Sequence, residues 1–276
     1  NVFAIANSKK VLLNKFGISE NWKATLEDKG QEYKVEDIIA YAKEHHLENL
    51  IAIDNTASAT FIENYISLAE NSFDLISSNK VANTVSFDFY KKLRKVLKDN
   101  QKEYLYETNV GAGLPLIDTI KLLHLSGENI TKIKGVFSGT LSYLFNNFSV
   151  ENKKFSEVLQ EVIDKGFTEP DPREDLNGND VGRKLLILAR ELDLQNEFEE
   201  IQIQNLIPEP LREGSAIDFL KRLSELDGIY QNIKDAQGPN EVLRYIGELS
   251  GDLQQDKEKL EVKLISVPTN SALGSL

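Results

Sequence analysis

The stretch YLYETNVGAGLPLIDTI, residues 104–120, reads as a strand, a glycine turn and the start of a helix. Its reading decides the fold, because a glycine turn between strand and helix is where a dinucleotide-binding sheet holds a pyrophosphate. Such a turn wants G-x-G-x-x-G, with an acidic residue about 20 positions later at the end of the next strand. Gly111 and Gly113 fill the first two positions, but Leu116 stands at the third, and Pro115 sits at the first helical position. The following strand ends at Phe137-Ser138-Gly139 with no acid. Two readings stay open here: a half-matched nucleotide turn, or a tight turn whose glycines permit left-handed dihedrals. Glu107, just before the turn, adds a third feature. A carboxylate beside free backbone carbonyls is a hard-oxygen set suited to a monovalent or group II cation.

Upstream of this turn the pattern alternates. VFAIANS (2–8) predicts a strand, a polar stretch surrounds Trp22, and VEDIIAYAKEHHL (35–47) predicts an amphipathic helix. NLIAIDNTA (49–57) predicts a buried strand, ATFIENYISLAEN (59–71) a helix and FDLISSNK (73–80) a strand. SFDFYKKLRKVLKDN (86–100) predicts a helix and EYLYETN (103–109) a strand. Strands alternating with helices of this length imply βαβ units and a parallel, doubly wound, Rossmann-like α/β sheet.

Downstream the alternation stops. Helices are predicted at 115–125, 140–148, 154–165, 179–193 and 215–233. Strands are predicted at 130–138, 200–207, 241–250 and 259–268, with an irregular acidic loop, FTEPDPREDLNG, at 167–178. This mixture implies an α+β second domain. The expected division is 1–109 for a nucleotide-binding domain and 110–276 for a catalytic and dimerisation domain.

Composition narrows the function. The net charge of −12 comes without a basic stripe, which argues against a nucleic-acid partner. No apolar run reaches the roughly 18 residues that would cross a bilayer. The opening NVFAIANS reads as a strand and not as a signal peptide. Cysteine is absent, which removes disulfides, thiol catalysis and cysteine–zinc sites and fits a cytoplasmic protein. The three histidines form no ligand-spaced cluster. Methionine is absent even at position 1, so a fragment or processed product is expected.

Five segments together resemble homoserine dehydrogenase. They are SSNKVAN (77–83), YETNVGAGLPLI (106–117), GVFSGTLSYLFN (135–146), GFTEPDPREDLNGNDVGRKLLILAR (166–190) and VLRYIGEL (242–249). The opening NSKKVLL…GISENWKATL resembles the dehydrogenase half of bifunctional aspartokinase–homoserine dehydrogenases, which implies a fused aspartokinase upstream. That family begins with a strand and a G-x-G-x-x-G turn of its own, so the resemblance makes NVFAIANS the second strand. It also implies a glycine-rich segment beyond PTNSALGSL. On this resemblance the turn at Gly111–Gly113 is not the pyrophosphate turn. It implies a sodium ion held by the Glu107 carboxylate and by the carbonyls of Val110, Ala112 and Leu114.

The activity implied is interconversion of L-homoserine and L-aspartate 4-semialdehyde with NAD(P), a step in threonine, methionine and isoleucine biosynthesis. Lys184 matches the family's acid/base lysine, four residues after Asp180. A free lysine is mostly protonated at neutral pH, so the role demands burial or a second cation nearby. The resemblance puts Lys80 near both nicotinamide and substrate. Glu169, Asp175 and Asp180 are implied around the substrate, where a carboxylate would bind its ammonium by charge-assisted hydrogen bonds. Gly139 and Thr140 open a predicted helix whose N-terminus suits the substrate carboxylate. Phe167 departs from the family's tyrosine and loses a hydroxyl. Asp180 and Lys184 also fit an ordinary i,i+4 helix pair, and EPDPREDLNG fits a solvated, proline-pinned loop.

For the cofactor, Thr56, Ala57 and Lys80 end strands of the first domain, outside whose carboxyl ends ligands bind. Asn7 and Ser8 end the first strand, where the adenosine ribose is expected. No acid stands there to take a 2′-hydroxyl, and Lys9 and Lys10 adjoin, which favours NADP over NAD. A homodimer is expected, with the 115–125 helix and the second domain's sheet as its interface. A semialdehyde dehydrogenase would need a nucleophilic cysteine, which is absent. A non-catalytic regulatory or binding module with the same fold is the alternative.

Overall fold

The computed structural model describes residues 1–253 and 257–276. They form two compact units: Asn1–Ala82 with Asp88–Tyr106, and Asn83–Phe87 with Glu107–Leu276.

The first unit runs β1 (Ala4–Ala6), β2 (Val11–Leu13), α1 (Trp22–Lys29), α2 (Val35–Glu44), β3 (Leu50–Asp54), α3 (Asn64–Glu70), β4 (Phe73–Ser77), α4 (Phe87–Asp99) and β5 (Tyr104–Leu105). Strands β3, β4 and β5 form a parallel sheet in that order, with α3 and α4 as crossovers. This is the expected Rossmann-like arrangement. On one face Phe73, Leu75 and Tyr104 are buried, as are Tyr65, Leu68 and Ala69 of α3 and Leu93 and Leu97 of α4. On the other face Ile51, Ile53 and Leu105 are 53%, 65% and 56% exposed, so β3 is half-buried and not the buried strand predicted.

One further expectation fails here. The first strand does not join the parallel sheet but pairs antiparallel with β2, Ala4 opposite Leu13. Its turn is closed locally, since Asn7 Oδ1 accepts the N–H groups of Lys9 and Lys10, each at 2.8 Å. The polar stretch around Trp22 is helical. It buries only Leu26, so it carries no apolar stripe to read.

The second unit runs α5 (Leu116–Leu125), β6 (Lys132–Gly135), α6 (Gly139–Val150), α7 (Phe155–Asp164), α8 (Arg173–Leu176), α9 (Asn179–Arg190), β7 (Gln202–Ile203), α10 (Ala216–Lys221), α11 (Asp227–Asp235), β8 (Glu241–Asp252) and β9 (Lys257–Pro268). The predicted 215–233 helix is two helices with a 3₁₀ turn, Leu223–Leu226, between them. The sheet order is β6-β8-β9-β7, antiparallel except for the β7–β9 pair. Helices α6 and α9 pack on β8. The core is anchored by Phe145, Phe148, Phe155 and Tyr230, with the Phe155 and Tyr230 rings stacked at 3.6 Å.

The short segment 83–87 belongs to this unit although its flanks belong to the other. The Arg190 side chain, with none of its surface exposed, holds it. Arg190 Nη1 donates to the carbonyls of Asn83 and Val85 at 2.9 and 2.8 Å. Nη2 donates to the Asn196 carbonyl and to Glu197, each at 3.2 Å, and Glu197 in turn accepts the Phe87 N–H at 2.8 Å.

Candidate active site

The sharpest chemistry lies at the N-terminal half of α9. The helix starts after Gly178, whose φ of +78° favours glycine, and a Cβ there would stand 2.0 Å from the Tyr245 hydroxyl. Gly178 thus lets α9 pack closely on β8. Val181, Leu185 and Leu188 are buried along one stripe, as their i, i+4, i+7 spacing predicts. Asp180 and Lys184 lie beside that stripe. Lys184 Nζ donates to the Phe137 carbonyl at 2.7 Å and pairs with Asp180 Oδ2 at 2.6 Å. The Lys184 side chain is 17% exposed, so the ammonium is held at the edge of solvent. An ammonium has three donors, and these contacts engage two.

Phe137 leads directly into α6. Ser138 caps that helix by accepting the Leu141 N–H at 3.2 Å, and Gly139 and Thr140 form its first turn. Thr140 Oγ1 donates to the Phe167 carbonyl at 2.6 Å. The Phe167 ring, 48% exposed, meets Tyr143 edge to face at 5.2 Å. Lys165 bonds the Tyr143 hydroxyl. Asp175 Oδ2, on α8, accepts the Glu169 N–H at 2.9 Å, tying the middle of the α7–α8 loop to that helix. Arg173 pairs with Asp171 at 2.6 Å and donates to the carbonyls of Arg212, Glu213 and Gly214, which staples that loop down. Burial raises the Asp175 carboxyl above its ordinary value, and the nearby charges of Glu169 and Asp180 add to this. The Glu169 N–H and the Thr140 hydroxyl act in the opposite sense.

Thr140, Phe167, Glu169 and Asp175 are therefore linked through short contacts, and the Asp180–Lys184 pair reaches Phe137, three residues before Thr140, in the same unit. Sequence reasoning missed Phe137, Ser138 and Arg173. Ser138 carried a readable N-cap signal, but the Phe137 carbonyl and the Arg173 staple depend on partners 39 to 47 residues distant.

The residues expected at the cofactor lie in the first unit. Asn7 and Ser8 form the β1–β2 turn. Lys10 Nζ is tied to the Glu27 carbonyl at 2.6 Å, while Lys9 is exposed. Strands β3 and β4 end at Asp54 and Ser77, earlier than predicted, so Thr56, Ala57 and Lys80 stand on the loops that follow. The short strands reflect loop residues whose backbone is bonded to side chains: the Thr56 N–H donates to Asp54 at 2.8 Å and the Asn79 N–H to Ser77 at 2.9 Å.

Glu107 also departs from its predicted strand and opens a 3₁₀ turn, Glu107–Asn109. Its carboxylate caps α5, accepting the N–H groups of Ile117 and Asp118 at 2.8 and 3.0 Å. Gly111 and Ala112 take φ values of +83° and +53°, so the turn is left-handed. The Leu114 carbonyl accepts the Leu116 N–H at 2.8 Å. Among the described residues no backbone N–H outside helices and strands donates to the carbonyls of Val110 and Ala112. Each carboxylate oxygen and each carbonyl has a second lone pair, so this set retains acceptor capacity for a hard monovalent cation. Among the described residues no group of three or more His, Cys, Asp or Glu side chains could hold a metal ion.

The first unit is thus a Rossmann-like parallel sheet, and the second an α+β unit that carries Lys184 and the carboxyls of Glu169, Asp175 and Asp180. The homoserine dehydrogenase family model matches residues 115–276, more than half of the chain, and the chain belongs to that family. It is 40% identical over 266 residues to a bifunctional aspartokinase/homoserine dehydrogenase of Arabidopsis thaliana named as chloroplastic, covering 95% of this chain and 29% of that protein. The chain thus spans under a third of that relative's length. A crystal structure of a Candida auris protein of unknown function has a TM-score of 0.88 at 30% identity, covering 100% of this chain and 78% of that one. A hyperthermophilic archaeal homoserine dehydrogenase in complex with NADPH shares the fold, with a TM-score of 0.69 at 19% identity over 99% of this chain and 74% of its own.

Proposed function

We propose that this chain is the dehydrogenase portion of a bifunctional aspartokinase/homoserine dehydrogenase, interconverting L-homoserine and L-aspartate 4-semialdehyde with NADP, or NAD, as the hydride carrier. The carrying observation is the Lys184 ammonium, fixed by the Phe137 carbonyl and Asp180 beside a loop of carboxyls. A bound nicotinamide supplies the hydride acceptor.

The chain's own residues do the rest. Lys184 moves the proton at the substrate hydroxyl: its amine accepts it in oxidation, and its ammonium returns it in reduction. The Phe137 and Asp180 contacts orient Nζ so that its third donor direction serves the substrate oxygen. Asp175 and Glu169 take the substrate ammonium, and the first turn of α6, at Gly139 and Thr140, takes its carboxylate. Phe167 supplies a wall without the hydroxyl of the family's tyrosine. Thr56, Ala57 and Lys80 on the loops after β3 and β4, with Asn7 and Ser8 on the first hairpin, hold the cofactor. Exposed Lys9 supports a 2′-phosphate and hence NADP. The Glu107 carboxylate and the carbonyls of Val110, Ala112 and Leu114 would hold a sodium ion that stiffens the turn before α5.

A homodimer belongs to the same reading. Leu114 is 67% exposed, and Leu122, Leu123 and Leu125 of α5 stand exposed beside it, a patch that a second copy would cover. No helix among the described residues is long and apolar enough to cross a membrane. The cysteine-free composition supports a cytoplasmic location.

The test is NADPH formation with L-homoserine, followed by absorbance in the full-length protein. Turnover dependent on homoserine is expected. A folded protein that binds NADPH yet turns over no homoserine would leave a non-catalytic module instead.

The same reading fixes the sign of a pH effect. Folded Asp175 binds a proton more tightly than unfolded Asp175, so it costs stability as pH rises through the interval between the two values, and the cost is complete above it. Asp175→Asn is therefore expected to melt higher than wild type at neutral pH, with the gap closing as pH falls below the ordinary carboxylate range. The same variant is expected to bind homoserine more weakly. Melting curves across pH, with homoserine KM, check both. A variant that melts lower at neutral pH would contradict the assignment.

A further inference from the structure

Both loops assigned to the cofactor converge on one buried carboxylate. Asp54 ends β3 and is 4% exposed. Its Oδ1 accepts the Thr56 N–H at 2.8 Å. Its Oδ2 accepts the Tyr65 hydroxyl at 2.6 Å and Asn79 Nδ2 at 3.1 Å. Its backbone carbonyl accepts the Ser78 N–H at 3.0 Å. Asn79 extends the set. Its Nδ2 also donates to the Ser58 carbonyl at 3.0 Å, and its Oδ1 accepts the Val81 N–H at 3.1 Å. Asn79 itself is 3% exposed.

Thr56 and Lys80 are thus bracketed by bonds that lead back to Asp54. The first loop is held at Thr56 and Ser58, the second at Ser78, Asn79 and Val81. A buried carboxylate with three charge-assisted donors is expensive to desolvate, and well-packed apolar side chains often serve stability equally well. Retaining it makes sense where the loops must keep one geometry, because small misplacements of binding groups are costly to turnover.

We propose that Asp54 is a positioning residue for the cofactor, acting through Asn79 and the Thr56 N–H to set the two loops that carry Thr56, Ala57 and Lys80. This rests on the cofactor assignment made above.

The test uses the full-length protein with NADPH as the probe, its binding followed by fluorescence, and homoserine turnover measured separately. Asp54→Asn keeps an acceptor for Thr56 but turns an amide donor towards Tyr65 and Asn79. The expected result is a Kd for NADPH raised about 10-fold and a kcat/KM for NADP lowered by about 10²-fold, with homoserine KM unchanged. Tyr65→Phe keeps the ring packed on Tyr104 and deletes one donor, so a smaller loss in the same direction is expected. It also serves if Asp54→Asn does not fold.

A purely structural Asp54 would lower the melting temperature while the folded variants bound NADPH as tightly as wild type, and that result overturns the proposal. Wild type that binds NADPH without oxidising homoserine sinks the assigned activity alone, and the NADPH affinities still decide Asp54. Wild type that binds no NADPH overturns both.

Discussion

Replacing Lys184 with alanine is expected to lower kcat for homoserine oxidation by about 10²- to 10⁴-fold, the range that a positioned general acid–base supplies. The expectation follows from three features of its setting. Nζ is fixed by two acceptors at 2.6 and 2.7 Å, so little freedom remains for it to act elsewhere. Its helix is anchored by a buried stripe, and the helix starts at a glycine whose added Cβ would crowd the Tyr245 hydroxyl. The carboxyls of Glu169, Asp175 and Asp180 gather nearby and suit an ammonium-bearing substrate. Homoserine and NADPH should still bind, since Lys184 is asked to move a proton and not to anchor either molecule. The check is a pair of measurements on folded variant protein, steady-state turnover and ligand affinity. Turnover at the wild-type rate would transfer the proton to Lys80 or to water. Loss of homoserine binding with turnover intact at saturation would make Lys184 a binding residue instead.

Arg190→Met should cost about 3 kcal/mol of stability, because it leaves buried acceptors without their cationic donor. The carbonyls of Asn83, Val85 and Asn196 and the carboxylate of Glu197 all accept from this one guanidinium. Methionine matches the length and apolar character of the stem, so the experiment isolates the lost hydrogen bonds from a cavity. In melting temperature the loss is about 6–12 °C for a domain of this size. Thermal and denaturant unfolding of wild type and variant side by side would measure it. A change within a degree or two would mean that water replaces the guanidinium and that segment 83–87 is held by other contacts.

The contrast between these two residues shows what local pattern can carry. Lys184 stands out through the resemblance, because local pattern alone makes it half of an ordinary i,i+4 pair with Asp180. The regular apolar period of its helix α9 was legible, as were strands β3, β4, β8 and β9 and helices α4, α6 and α7. Arg190 lies on that same legible helix, yet its role was not, since its partners at Asn83 and Val85 are over 100 residues away. The Asp54 set is shorter in range but leaves no periodic trace either, because its bonds run to other side chains and to loop backbone. NTA after Asp54 and SNK after Ser77 carry turn residues, and the strands stop there because side chains bond the loop backbone. The β1–β2 hairpin was misread because an alternating model of the first third absorbed VFAIANS as one more parallel strand. The turn at Gly111–Gly113 was decided by resemblance, and its left-handed φ values fit the tight turn that the missing third glycine suggested.

The placement of residues 83–87 in the second unit has a consequence for how the chain is made. The polypeptide passes between the units after Ala82, after Phe87 and again after Tyr106. During synthesis from the N-terminus, residues 83–87 emerge about a hundred positions ahead of Arg190, the side chain that holds them. The first unit therefore emerges with a loop that its Arg190 donors cannot yet hold. No single cut in the gene separates the units cleanly either, because a fragment ending at residue 106 keeps five residues whose native surroundings it has lost. Arg190, on a late helix, thus completes a segment translated long before it.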